Sequence, residues 1–109
     1  MENQTIKDTD ISGIKDNNSK VRIVGKVLSF DEKTGIFEIE DEGSKLTCMA
    51  EPSSYGEIPN GLVLVTGRAI SADSSFEIRA DSVQSINMTE YNNYKKYLKI
   101  RNNLLNNGS

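Results

Sequence analysis

The chain contains no histidine and a single cysteine, Cys48, which removes most ways of building a catalytic centre. A serine, threonine or cysteine nucleophile needs an adjacent base, and imidazole is the usual one. Zinc is held by sets of cysteine and histidine ligands that one cysteine cannot supply. No Gly-rich phosphate loop of the GxxxxGK[ST] kind is present. The one concentration of carboxylates is Glu38, Glu40, Asp41 and Glu42. It falls on an alternating strand and the turn after it, so it reads as a solvated strand face rather than a metal or acid–base site. No enzymatic activity, cofactor or metal is expected. Cys48 cannot form an internal disulfide, which suits a reducing compartment, and its inward phase makes it a small core residue.

What remains is binding chemistry. Arg22, Lys26, Lys45, Arg68 and Arg79 are the candidates for phosphate contact, and Phe30 and Tyr55 are the only plausible stacking platforms. Single strands are held by a basic track along the backbone plus aromatic faces under the bases. The charge balance works against strong capture. Residues 1–87 carry nine basic and fifteen acidic side chains, a net −6, and residues 88–109 carry four basic and one acidic, a net +3. Phosphate neutralisation supplies most non-specific affinity for nucleic acid, so the isolated chain should bind single strands weakly. No apolar run is long enough to cross a bilayer, and Met1-Glu2-Asn3-Gln4 does not open a signal peptide. No membrane partner is expected, and the location should be cytoplasmic in a prokaryote or archaeon and nuclear in a eukaryote.

These groups must be positioned by five strands and one helix. Residues 1–19 read as a polar arm with Ile6, Ile11 and Ile14 as its only anchors and Asp10 capping a short turn. Residues 20–87 form the barrel. Its strands are Lys20–Asp31, Ile36–Asp41, Lys45–Glu51, Leu62–Ala72 and Phe76–Asn87, with turns at Glu32–Gly35, Glu42–Ser44 and Asp73–Ser75. Pro52–Gly61 is an irregular connector. In the last strand Phe76, Ile78 and Ala80 share a face, and the phase slips near Asp81 so that Val83 and Ile86 also point inward, which implies a bulge.

Two similar runs, Val21-Arg22-Ile23-Val24-Gly25-Lys26-Val27 and Leu62-Val63-Leu64-Val65-Thr66-Gly67-Arg68-Ala69, each interrupt a β-branched strand with one glycine and a following cation. Glycine inside such a run marks a bend or a close backbone approach. Two bent strands lying side by side close a small all-β barrel, and five strands fit the OB-fold. An SH3-type barrel is the competing reading.

Residues 88–109 form the helix, with Thr89 as N-cap and Glu90 in its first turn. At about 100° per residue, Tyr91, Tyr94, Leu98 and Leu105 make one stripe, and Tyr97, Ile100 and Leu104 a second beside it, with Arg101 next to both. A lid on the barrel needs one stripe. Two adjacent stripes suit packing against two other helices at once.

The order of these features resembles the small subunit of replication protein A over about residues 20–98. The matching segments are the first Gly-basic run, Thr34-Gly35 before an apolar strand, Met49-Ala50-Glu51-Pro52, the second Gly-basic run, and a tyrosine-bearing helix from Tyr91. The small subunit of telomeric Stn1–Ten1 type complexes shares the layout. The resemblance implies an OB-fold with a C-terminal helix and an assembly role in a heteromeric single-stranded-DNA-binding complex of replication and repair. It further implies that Tyr91, Tyr94, Tyr97, Leu98, Ile100, Arg101, Leu104 and Leu105 join larger OB-fold subunits through a helical bundle, and that DNA is contacted mainly through the complex. A stand-alone nucleic-acid-binding OB module and an OB adaptor that binds only protein are the alternatives.

Overall fold

The structure is a computed structural model and describes residues 5–50 and 58–107; of residues 105–107 it describes the backbone only. In chain order the elements are β1 (Lys7–Asp8), a 3-10 turn (Ile11–Gly13), β2 (Ser19–Asp31), β3 (Ile36–Asp41), β4 (Ser44–Ala50), β5 (Gly61–Ala72), β6 (Ser75–Ser85) and α1 (Met88–Asn107). β2, β3 and β4 form an antiparallel meander, β4 pairs in parallel with β6, β6 pairs antiparallel with β5, and β5 returns to β2. The sheet therefore closes into a five-stranded barrel of the OB type, with one helix after it. The parallel pair between third and fifth barrel strands disposes of the SH3 alternative.

Alternation fills the interior. Val21, Ile23, Phe37, Ile39, Leu46, Cys48, Val63, Val65, Ala69 and Ile78 are all buried in one core cluster, each two residues from the next inward position on its strand. The tight β3–β4 hairpin follows from Glu42 and Gly43, both at positive φ (50° and 84°). That pair of dihedral signs is the type I′ turn whose twist matches the flanking strands.

The two glycine-bearing strands are neighbours, as their sequences imply. Gly25 lies opposite Val63, and Gly67 opposite Val21. The expected bulge is also present: Thr66 pairs with Ser82 and Gly67 with Ala80, leaving Asp81 as the extra residue on β6. The two glycines differ in what they permit. A Cβ on Gly67 would collide with the Arg79 carbonyl and sit 2.8 Å from the Ala80 Cα, backbone that cannot yield. A Cβ on Gly25 would meet Ile39 and the Glu40 carbonyl at 3.2 Å, which small shifts relieve.

The arm is more ordered than its polarity suggests. Ile11 and Ile14 enter the barrel core, and β1 adds a parallel strand to β2 through Lys7–Val21 and Asp8–Arg22. The reason lies in β2 itself. β3 pairs only with its second half, from Lys26 onward, so the first half would otherwise leave an open edge. Two residues are too few for periodicity to reveal. Ile6, by contrast, is exposed. Asp10 precedes the turn without its side chain capping it. The helix begins two residues earlier than Thr89 would place it: Asn87 Oδ1 accepts from the Glu90 N–H (2.8 Å) and Glu90 Oε1 from the Asn87 N–H (3.0 Å). This is a reciprocal capping box. At its other end the helix continues to Asn107. Glu51–Glu57, covering most of the connector and Tyr55, lie outside the described residues.

Gly67→Ala should destabilise the barrel by at least about 2 kcal/mol, since overpacking against fixed backbone is not relieved by side-chain motion. Gly25→Ala should cost clearly less. Urea denaturation of both variants checks this, and equal midpoints would contradict it.

Candidate association surface

α1 lies along the outer wall of β1 and β2 and is fastened there by polar groups around two carboxylates. Asp8 is the first. Arg22 grips it with both arms of the guanidinium, Nε to Oδ1 at 2.6 Å and Nη2 to Oδ2 at 3.1 Å. The single hydroxyl proton of Tyr94 points between Asp8 Oδ1 (2.8 Å) and the Arg22 carbonyl (2.7 Å). Arg101 Nη1 donates to the Asp8 carbonyl. Asp41 is the second. It takes the Tyr91 hydroxyl on Oδ1 and the Lys95 ammonium on Oδ2, with Glu42 3.4 Å from the same ammonium. Between these anchors one apolar contact surface forms. Val24 and Leu98 are both buried although neither belongs to the barrel core, and Val24 has the outward phase of Arg22 on β2.

The electrostatics follow from this partial burial. Burial opposes ionisation of Asp8, but the Arg22 and Tyr94 bonds and the charges of Arg22 and Arg101 together outweigh it, and its pKa is lowered. Arg22 is correspondingly raised, first by its bond to Asp8. Tyr91 is pushed up to about 12 by burial and then by the Asp41 carboxylate, and Tyr94 is raised by burial and by Asp8. Lys95 loses hydration, which disfavours its charge, yet the Asp41 partnership leaves its pKa raised. Burial alone raises Cys48, as befits a core thiol.

The structure thus divides the residues that the sequence grouped as one association surface. Tyr91, Tyr94, Leu98 and Arg101 are engaged with the chain's own barrel. Tyr97, Ile100 and Leu104 face solvent, with 49%, 52% and 69% of their surface exposed. Leu105 lies in α1, its side chain outside the description. The Tyr97 ring stands 6.3 Å from that of Tyr94, tilted by 48°. Beside this pair runs a groove of about 470 Å³ whose floor includes Leu64 of β5.

Of the nucleic-acid candidates, only Arg68 and Arg79 come together, opposite each other across β5 and β6. Arg22 is consumed by Asp8. Lys26 and Lys45 are exposed but lie opposite Glu40 on either side, so one carboxylate offsets one of the two cations. Phe30 is half-buried and packs against the core. Arg68 donates from Nη1 to the Asn18 carbonyl (2.9 Å) and Oδ1 (3.2 Å), while Arg79 is exposed. Sequence reasoning missed Asp8 and treated Asp41 as part of a solvated acidic face. Asp41 is 6% exposed. Its signal was its phase: it continues the inward series Phe37, Ile39, Asp41, where a carboxylate needs a partner.

No protein-family model and no curated protein matches the sequence. Solved structures do match the fold. Telomere capping protein Ten1 from Saccharomyces pombe is 22% identical with a TM-score of 0.68, covering 91% of this chain and 99% of that one. The S. pombe Stn1–Ten1 complex contains a chain 20% identical with a TM-score of 0.68, covering 94% and 96%. The hypothetical protein ygiW from E. coli is 9% identical with a TM-score of 0.62, covering 79% and 100%. These likenesses bear on the fold alone.

The Asp8 anchor makes helix docking depend on acid. A carboxylate with a lowered folded-state pKa stabilises fully above its ordinary value near 3.8 and loses that contribution as pH falls through the folded-state value. Acidification below about pH 4 should therefore weaken the helix attachment, and Asp8→Asn should lower stability by about 1–3 kcal/mol at neutral pH while removing this part of the acid dependence. Thermal melts of both proteins from neutral to acid pH check it. Identical pH profiles would contradict it.

Proposed function

We propose that this chain is a non-enzymatic assembly subunit of a heteromeric single-stranded-DNA-binding complex, joined to a larger OB-fold subunit through α1. The exposed stripe of Tyr97, Ile100 and Leu104 carries the reading. It lies on a helix whose other face is already satisfied, so the stripe contributes nothing to the chain's own core. Large apolar and aromatic side chains held in this way on a rigid element are typical of the centre of a protein interface.

Two further observations support it. The likeness to Ten1 spans nearly all of that chain, and one matching chain comes from a Stn1–Ten1 complex. The strand face that OB modules use for single strands here sets Glu40 between Lys26 and Lys45, which disfavours the stand-alone nucleic-acid-binding reading. A Ten1-like telomeric role is therefore preferred to the replication protein A role in replication and repair. The latter keeps one argument, the second apolar stripe, since a three-helix bundle would use it.

Ile100→Asp/Leu104→Asp should abolish capture of the larger OB-fold subunit from the same genome in co-expression, because an unpaired ion in a packed helical interface is strongly disfavoured. The same variant should melt within about 1 °C of the parent, as surface substitutions usually do. Retained capture would place the interface on the barrel. Sub-micromolar binding of an oligothymidine by the intact chain at physiological salt would favour the stand-alone module.

A further inference from the structure

The strand register assembles a row of cations that no local sequence pattern reveals. Lys20 on β2 lies opposite Arg68 on β5, and Arg68 lies opposite Arg79 on β6. All three point outward, since their neighbours Val21, Ala69, Ile78 and Ala80 are in the core. The row continues onto β4 and β3 through Met49 and Ile36, opposite each other and next to Arg79. Both are partly exposed, at 41% and 38%. Like charges directly opposite each other across a sheet are destabilising, so the row stands against the chain's own stability.

Local pairing offsets only part of the row. Lys20 shares its charge with Asp81 at 3.2 Å. Glu77 precedes Arg79 by two residues and pairs in register with Thr47 and Ile70 instead. Among the described residues Arg68 is held by the uncharged oxygens of Asn18, through one arm of its fork. Asn18 adopts positive φ (69°) to do so, a conformation uncommon outside glycine, and its N–H is tied to the Ala69 carbonyl at 2.6 Å. Among the described residues Arg79 has no hydrogen-bond or ion-pair partner.

From this we infer a binding track on the β6–β5–β2 wall: Arg79 and Arg68, assisted by Lys20, take the phosphodiester backbone of a single DNA strand, and Met49 and Ile36 form an apolar shelf for the bases. Guanidinium forks suit phosphate oxygens in a bidentate manner. Cross-strand spacing sets the three cations about 5 Å apart, close enough to follow one strand over two or three phosphates. Among the described hydrogen bonds and ion pairs, none joins Arg68, Arg79 or Lys20 to α1. The inference rests on the reading that the chain serves a single-stranded-DNA-binding complex. It assigns that complex's DNA contact on this subunit to the Lys20–Arg68–Arg79 row, with the shelf at the end of the β3–β4 face remote from Glu40 and Lys45.

The test is fluorescence anisotropy of the full chain with a labelled oligothymidine of about 12 nucleotides, within the usual range per OB fold, titrated between about 25 and 200 mM salt. Two released phosphate contacts correspond to a log–log salt slope of about 1.4. Arg68→Gln/Arg79→Gln should therefore flatten the slope by about that amount and weaken low-salt binding several-fold. Arg79→Gln alone, at a side chain with no described partner to lose, should flatten it by about 0.7. Lys96→Gln/Lys99→Gln, which removes equal charge from α1, should leave the slope within error of the parent. Equal effects of the two double variants would reduce the binding to bulk charge and overturn the track. A polyglutamate peptide of matched charge that displaces the oligonucleotide at equal concentration would overturn it in favour of an acidic polypeptide. Capture of the larger subunit by Arg68→Gln/Arg79→Gln should be intact. Loss of the salt response with capture retained supports the track, whereas failed capture by the parent chain with the salt response present would remove the assembly reading and leave the track standing.

Discussion

The carboxylate of Asp8 is where the arm, the barrel and the helix meet. It belongs to a two-residue strand, receives both arms of Arg22 from the barrel wall, and receives Tyr94 from α1, while its own carbonyl receives Arg101 from the following turns. Its side chain is 14% exposed. An ionised group in that position is tolerable only when most of its lone pairs are filled by charged or hydroxyl donors. The geometry is therefore over-determined: the arm fixes Asp8, Asp8 fixes the Arg22 rotamer, and both orient Tyr94. Remove the carboxylate and three elements lose a common partner, whereas removal of one apolar residue from a wall this size would be local.

Helix attachment through carboxylates has a consequence for the rest of α1. A helix that binds its barrel mainly by apolar burial needs its widest apolar arc turned inward. Here two acid-centred clusters hold α1, and among the described residues Leu98 is its only buried apolar side chain. The remaining apolar residues are free to occupy the outward face. That partition gives Tyr97, Ile100 and Leu104 a rigid backing without drawing them into the chain's own core, and rigidity reduces the ordering cost of association.

Much of the barrel was legible because alternation is a direct consequence of strand geometry. Phe37 and Ile39, and Leu46, Cys48 and Ala50, declare their inward phase two residues at a time, and the slip at Asp81 shows as a break in that count. The pairing of the two glycine-bearing strands followed from their shared pattern, though only the paired backbone shows that Gly67 tolerates nothing larger while Gly25 has some room. The association site was half legible. The two stripes of α1 are present as spacing, but which one faces inward depends on Asp8 and Asp41, residues that lie 86 and 50 positions from the tyrosines they hold. Asn87 was overlooked for a physical reason as well: capping depends on which residue leaves the helical conformation, and Asn87 and Thr89 are both competent caps.

The cation row shows the same limit from the other side. Lys20, Arg68 and Arg79 are separated by 48 and 11 positions, and each alone reads as an ordinary solubilising residue between inward-facing neighbours. Only closure of β5 onto β2 and the parity of the β6 register bring them into one line. Parity is decisive here. The bulge at Asp81 lies after Arg79, so Arg79 keeps its alternation between the inward-facing Ile78 and Ala80 and faces outward. Had the extra residue fallen two positions earlier, pairing on that face would have shifted by one, setting Ala80 opposite Arg68 and turning Arg79 out of register. The bulge position that lets Val83 approach the core is thus also the one that keeps the guanidinium groups aligned, and a single irregularity in β6 serves both the packing of the barrel and the chemistry of its outer wall.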